Sequence, residues 1–446
     1  MVLQKAPQKA NVWGYSTKLN DVVHVTVKGN GVTHTVQTQV HRGHDGKNTW
    51  KVALPAMPAG GPYTVTAVSS LATLTLTDVL FGDVWLCAGQ SNMQFTVSMD
   101  VNAAQEIADG AHYPHIRLFT PKRTQTKTPK YDIAGIEQHW STPTKGSLGG
   151  PPWSHYSAVC WFYGQALYNE LKHPIGLIAA DWGATRIEPW SSPDALNKCH
   201  KEHYDIKPDS KFPEDPSVAW NGMIHPLLPL TIYGSIWYQG ESNNHHGDAY
   251  NCNFPAMIDD WRDKFNKESG GQTSRHFPFG FVQLAAFNKA KTYDFTDIRW
   301  AQTARYGYVP NPKLQNVFMA VALDLPDFDS PHHSIHPRHK KIMGSRLALA
   351  GLSVAYHKSG KKSQGPYPST ISNHPTDSTL TIQFDHGKSP IGNIRSHNGF
   401  EVCCADKQYD AASICVTTAK NWVDAPVSKS TSHDVTIHYP DHCRQG

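Results

Sequence analysis

Asp83-Val84-Trp85-Leu86-Cys87-Ala88-Gly89-Gln90-Ser91-Asn92-Met93 decides how the rest of the chain is read. Its opening, DVWLCA, is a short apolar run of the kind a buried strand makes. Gly89-Gln90-Ser91 then breaks that run with a turn. Five more apolar runs follow: IRLF, PIGLIAADW, TIYGSIWY, FGFVQLAAF and VFMAVALD. Helix-like segments lie between them at 156–172 and 254–267, and a long helical candidate, 337–357, follows the last. Strand–helix alternation of this kind predicts an α/β domain over 81–360 with a mostly parallel, doubly wound sheet. Pro- and Gly-rich stretches predict loop insertions near 121–154 and 200–220.

The flanks have a different pattern. Residues 1–80 carry five runs in which β-branched or aromatic residues alternate with polar ones, from DVVHVTVKG (21–29) to ATLTLTDV (72–79). Gly and Pro clusters separate them, which predicts an N-terminal β-sandwich module. From 361 to 446, LTIQF (380–384), FEVCCA (400–405) and DVTIHY (434–439) predict a C-terminal β module.

Composition bounds the function. The 446 residues allow a large core, and charged residues make up 17% against 11% aromatic, with 13 Trp. That excludes a disordered chain, which is charge-rich and aromatic-poor. No apolar run approaches the roughly 18 residues of a membrane span. The net charge of +4 comes without a basic run, so no nucleic-acid partner is expected. Eight cysteines suit an oxidising compartment but allow many pairings, and none is assigned. No Asn-x-Ser/Thr sequon is present, which weighs mildly against secretion.

Open α/β sheets place their sites at the carboxyl ends of strands. Here those ends lead into Gly89-Gln90-Ser91, Gly183-Ala184, Gln239-Gly240-Glu241-Ser242-Asn243 and the stretch Asp324 to Pro337. Together they hold the parts of an acyl-transfer site. Ser91 on a strand-to-helix turn is the candidate nucleophile. His336, expected at the entry of the 337–357 helix, is the candidate base, because serine is a weak nucleophile until a base takes its proton. The Ser91 and Gly183 N–H groups and the Gln239 amide are candidate oxyanion donors. Asp329 is the first choice to orient His336, with Asp327 second; the alternative is a Ser–His dyad oriented by a backbone carbonyl. Gln90, Glu241, Asn243 and Arg299 are substrate-binding candidates, with Arg186 and Arg338 as further cations for an acidic substrate. Each residue alone has a plainer reading, as a turn, cap or buried polar; their joint placement at successive strand ends favours the functional one.

Three blocks carry a resemblance: Leu86 to Met93, Trp237-Tyr238-Gln239-Gly240-Glu241-Ser242-Asn243 and Ser334-Ile335-His336-Pro337. They resemble the sialate O-acetylesterases within the SGNH hydrolases. The likeness extends to Pro174–Ile178, Glu188–Ser192, Trp220–Pro226 and Tyr308–Pro312, so that it covers nearly the whole chain. It implies a flavodoxin-like, three-layer hydrolase domain with accessory β-sandwich modules. It also implies removal of O-acetyl groups from sialic acids or sialoglycans, in the secretory pathway, lysosomal or extracellular. Met1-Val2-Leu3-Gln4 resembles a point shortly after the mature start of that family, which implies a missing signal peptide. Two places depart from the pattern. Ser334 stands where many relatives have an Asp before the catalytic His, and Ala184 where some have a second Gly.

Rival readings are an acetylesterase for xylan-type carbohydrates and a non-catalytic glycan-binding protein. His332, His333, His336 and His339 crowd eight residues, but no HExxH motif accompanies them. Neither a metal nor a cofactor is expected.

Overall fold

The computed structural model describes residues 1–199, 212–288, 295–385, 394, 397, 400–403, 422–429 and 434–439. They form two compact units, Met1–Ser363 and Gln364–Gly446.

The first unit is organised by one long strand, β1 (Thr73–Gly89). Its second half is the buried stretch of the quoted sequence, and its first half is exposed. In chain order the other strands of the central sheet are β2 (Ile116–Pro121), β3 (Ile136–Ser141), β4 (Ile175–Asp181), β5 (Gly234–Tyr238), β6 (Phe279–Gln283) and β7 (Val317–Val321). The spatial order is β3-β2-β4-β1-β5-β6-β7. All neighbours are parallel except the edge strand β3, which runs against β2. Residues on both faces of β4 and β5 are buried, as a sheet covered on two sides requires. The covering helices are α2 (Ala158–Leu171), α3 (Gly247–Glu268), α4 (Thr296–Gln302) and α5 (Lys340–Val354). Among the described residues six fully buried tryptophans, Trp85, Trp237 and Trp261 among them, pack between.

Register places the site. Gly89 pairs with Asp181 of β4 on one side and with Tyr238 of β5 on the other. The three strands therefore end level, and Ser91, Gly183 and Gln239 leave the sheet at one edge. Gly89 has a φ of +148°, and a Cβ there would stand 2.2 Å from the Tyr238 carbonyl oxygen. Only glycine fits so close to the neighbouring strand.

Residues 1–72 are built onto β1. Val22–Gly29 pairs with Val32–Gln39 and Gly60–Val68, and Gly60–Val68 pairs with the first half of β1. A second sheet of Asn11–Tyr15, Asn48–Ala53 and His41–Arg42 closes over Val25, Val27, Trp50 and Phe81. The boundary expected at residue 80 thus falls inside a continuous strand. In the second unit Pro368–His374, Thr379–Phe384, Asp434–His438 and Val427–Lys429 form a four-stranded antiparallel sheet over Ile382, Val427, Val435 and Ile437.

Disulfides join Cys87 of β1 to Cys160 of α2, and Cys199 to Cys252 of α3. Cys404, Cys415 and Cys443 lie outside the described residues, as do 200–211 of the expected 200–220 insertion and part of the expected C-terminal module. Among the described residues no helix is long and apolar enough to cross a membrane.

Candidate active site

Ser91 opens α1 (Ser91–Gln94), a single turn of helix directly after Gln90. Bonds made by Gln90 fix that turn to β5 and the loop after it. The Gln90 N–H donates to the Tyr238 carbonyl at 3.0 Å, and Gln90 Oε1 accepts the N–H of Ser242 at 3.2 Å. Gln90 is 2% exposed and works here as a clamp between two strand ends, although it also borders the cleft.

His336 Nε2 lies 2.9 Å from Ser91 Oγ. Its Nδ1 lies 2.6 Å from the carbonyl oxygen of His332. A carbonyl only accepts, so Nδ1 carries the proton and the Nε2 lone pair faces the serine hydroxyl. This is the tautomer a general base needs. Burial lowers the imidazole to about 4, and Lys340, His333 and His332 push the same way against the pull of the His332 carbonyl. The Trp153 indole packs edge-on to the ring, centroids 5.1 Å apart.

The acids expected behind His336 are elsewhere. Asp329 makes no hydrogen bond to the ring. Asp327 is held by Arg338, with Nε–Oδ2 at 2.6 Å and Nη2–Oδ1 at 3.0 Å. Asp324 pairs with Arg346. The physical reason is a tight turn. His333 takes a left-handed φ of 68°, and the His336 N–H bonds back to the His333 carbonyl. That folds the His332 carbonyl onto Nδ1 before any side chain reaches it. His336 also stands four residues ahead of α5 rather than at its first turn. The helix starts at Lys340 because the distant Asp100 carboxylate accepts the N–H groups of Lys340 and Lys341.

The oxyanion side is only partly as expected. The Ser91 N–H has no partner among the described residues. The Gly183 N–H faces the same place, and a Cβ on Gly183 would lie 3.4 Å from Ser91 Cβ. It donates to Gln94 Oε1 at 2.7 Å. Gln239 is placed differently from the expected donor. It is fully buried, and its amide hydrogens go to Asn243 Oδ1 at 2.8 Å and the Thr185 carbonyl at 3.2 Å. A buried amide must find partners, and the loop beside it supplied them. Asn243 is likewise not a cleft residue. It accepts the Ile187 N–H at 2.9 Å and donates to Glu188, so it holds the loop that carries Gly183. Arg123 bonds the Asp181 carboxylate and carbonyl at 2.8 and 2.9 Å, fixing the start of that loop.

The least anticipated feature is a buried polar cluster beside Ser91. Asn92 Nδ2 donates to Glu241 Oε1 at 2.5 Å and to the Ile335 carbonyl at 2.8 Å. Asn92 Oδ1 accepts from Lys340 Nζ at 2.6 Å. Burial raises the Glu241 carboxyl above its ordinary value and lowers the Lys340 ammonium to about 7, each against the other's attraction. Lys340 also lies over the rings of Phe95 and Tyr238. Asn92, the neighbour of Ser91, is therefore tied to the residue before His336. Its position inside the Gln90-Ser91-Asn92 turn was the one sequence signal; nothing local marks Lys340.

Ser91 and His336 open onto a cleft of about 470 Å³, walled by Trp153, Ala184, Phe212, Ser242 and Ile335, with Glu241 at its base. Arg299 is buried on α4 and does not border it, and Arg338 is committed to Asp327. Arg186 is half-buried on the Gly183 loop. Among the described residues no group of three or more His, Cys, Asp or Glu is arranged to hold a metal ion.

Comparison with known proteins agrees with this geometry. Residues 81–353 match the carbohydrate esterase family described as sialic acid-specific acetylesterase, and residues 369–446 match the sialate O-acetylesterase C-terminal domain. Mouse sialate O-acetylesterase is 40% identical over 98% of this chain and 84% of its own length. The human sialate O-acetylesterase is 46% identical over 83% of this chain and 72% of its own. A crystal structure of a carbohydrate acetylesterase from Xanthomonas citri superposes with a TM-score of 0.76 at 27% identity, covering 98% of this chain and 88% of that one. A serine and a histidine in contact at the strand ends of a flavodoxin-like sheet, with both domain matches in order along the sequence, make this chain a member of the sialate O-acetylesterase family.

Proposed function

We propose that this chain hydrolyses O-acetyl esters of sialic acids through a Ser91–His336 dyad, within the secretory pathway, lysosomal or extracellular. The observation that carries the reading is the 2.9 Å approach of Ser91 Oγ to the unprotonated Nε2 of His336. Ser91 Oγ attacks the acetyl carbonyl while its proton passes to Nε2. The oxyanion accepts from the Ser91 and Gly183 N–H groups. Collapse breaks the bond to the sugar oxygen, which leaves as an alcohol after taking the proton from His336. Water, deprotonated by the same nitrogen, then attacks the acetyl-serine and releases acetate and free Ser91. The His332 carbonyl stabilises the imidazolium in place of a carboxylate. The apolar walls, Trp153, Ala184, Phe212 and Ile335, suit an acetyl group and the face of a sugar ring.

The test is acetate release from O-acetylated sialic acid and, in parallel, from acetylated xylan. Turnover of the first and not the second is expected, falling at least ~10⁴-fold in Ser91→Ala. The thermal unfolding of that variant should match the wild type to within about 0.5 kcal/mol. Preference for xylan overturns the substrate, and a folded Ser91→Ala that keeps its rate overturns the nucleophile.

A further inference from the structure

The oxyanion site of this protein is not empty space awaiting a substrate. The Gly183 N–H already donates to a carbonyl oxygen, Gln94 Oε1, at 2.7 Å. Gln94 is three residues after Ser91 on the same turn of helix, so its side chain rises on the same side and borders the same cleft. A Cβ built on Gly183 would meet Gln94 Oε1 at 3.1 Å and Ser91 Cβ at 3.4 Å, so one glycine is shared between the two side chains. The accepting atom is an amide oxygen, a neutral sp² carbonyl like that of an acetyl ester. It occupies the donor that an acyl oxygen must use.

Gln94 differs from the other amides around the site. Gln239, Asn243 and Asn92 are buried, with bonds at both ends of the amide. Gln94 is half-buried, and its NH₂ has no partner among the described residues. Among the described residues a single hydrogen bond holds the tip, and one side-chain rotation releases it into the cleft.

We propose that Gln94 is a built-in competitor for the oxyanion site: its amide oxygen occupies the Gly183 N–H until an acyl carbonyl displaces it. The inference rests on the assignment of Gly183 as an oxyanion donor. The exchange moves no proton and breaks no covalent bond; one acceptor replaces another on the same N–H. Gln94 thereby weakens the binding of every ligand that must reach Gly183 and sets the apparent affinity rather than the chemical step.

The experiment uses the whole chain with Gln94→Met and Gln94→Ala. Methionine keeps the length and bulk but has no carbonyl acceptor; alanine removes both. Two readouts are taken: KM and kcat for 4-nitrophenyl acetate, and calorimetric affinity for acetate ion, which needs no turnover. Both variants are expected to bind acetate at least threefold more tightly and to lower KM by a similar factor. Gln94→Glu places an anion on the same donor and is expected to weaken acetate binding at least tenfold. Unchanged or weaker acetate binding in both Met and Ala overturns the proposal. So does a Met variant that behaves as wild type while Ala alone tightens, because bulk rather than the acceptor is then what excludes the ligand. Tighter acetate binding in proteins that never turn over ester breaks the esterase reading and leaves the competitor standing.

Discussion

Ser91 and His336, the pair proposed to be catalytic, reach the same point by opposite routes. Ser91 is set by the sheet: β1 ends level with β4 and β5, and the turn that follows is bonded to the end of β5. His336 is set by local backbone, a tight turn whose own carbonyl holds Nδ1. Position by a sheet comes from many parallel hydrogen bonds and tolerates the loss of one. Position by a turn depends on few contacts, so its chemistry is more exposed to single substitutions. The two halves meet at Asn92, which bonds the Ile335 carbonyl on the histidine side.

The strongest way to break this comparison is therefore Asn92→Ala. It leaves Glu241 and Lys340 buried without their shared partner and frees the histidine turn. Turnover should fall about a hundredfold, with a loss of about 2–4 kcal/mol in stability by urea unfolding. A folded variant within threefold of the wild type would show that the histidine turn stands unaided.

The pH profile sharpens the comparison next. A base must be neutral to accept the serine proton, so the rate falls as pH drops through its pKa. Burial, with no carboxylate at Nδ1 to oppose it, lowers His336 to about 4. The acid limb of kcat/KM should then lie near pH 4, well below the ordinary histidine value of roughly 6.5. A limb at or above that value would mean that an anion reaches the ring during catalysis.

A smaller effect is expected at Asp329, the acid the sequence favours for orienting His336. Since a carbonyl fills the Nδ1 position, Asp329→Asn should change kcat by less than about threefold, where an orienting triad Asp costs about four orders of magnitude. A hundredfold loss in a steady-state assay would restore the triad. The least effect lies on the wall opposite. Ala184 has a left-handed φ of 58°, strained for any residue with a Cβ. Ala184→Gly should raise stability by roughly 0.5–1 kcal/mol in thermal unfolding, with kcat unchanged.

The same contrast explains what could be read in the sequence. The strand ends were legible because buried parallel strands leave unbroken apolar runs, and the polar turns after them mark the site's edge. Ser91, Gly183 and His336 follow from that rule. The orienting partner of His336 was not legible as one choice, because a backbone carbonyl has no residue type to signal it. Gln239 and Asn243 were drawn towards the cleft by their position after β5. Only the packed loop beside them shows their amides bonded inward. The late start of α5 escaped for a similar reason: its cap, Asp100, comes from a stretch 240 residues away in sequence.

The 17 residues of β1 have a consequence for anyone recombining such chains. One unbroken strand is both an outer member of the N-terminal sandwich and the strand that leads into Ser91. A splice at residue 80 would cut a shared beam rather than a hinge. The N-terminal sandwich cannot be exchanged like a tag. A donor module would have to bring its own first half of β1, in the same pairing with Gly60–Val68, or leave Ser91 on a strand whose far end has lost its neighbour.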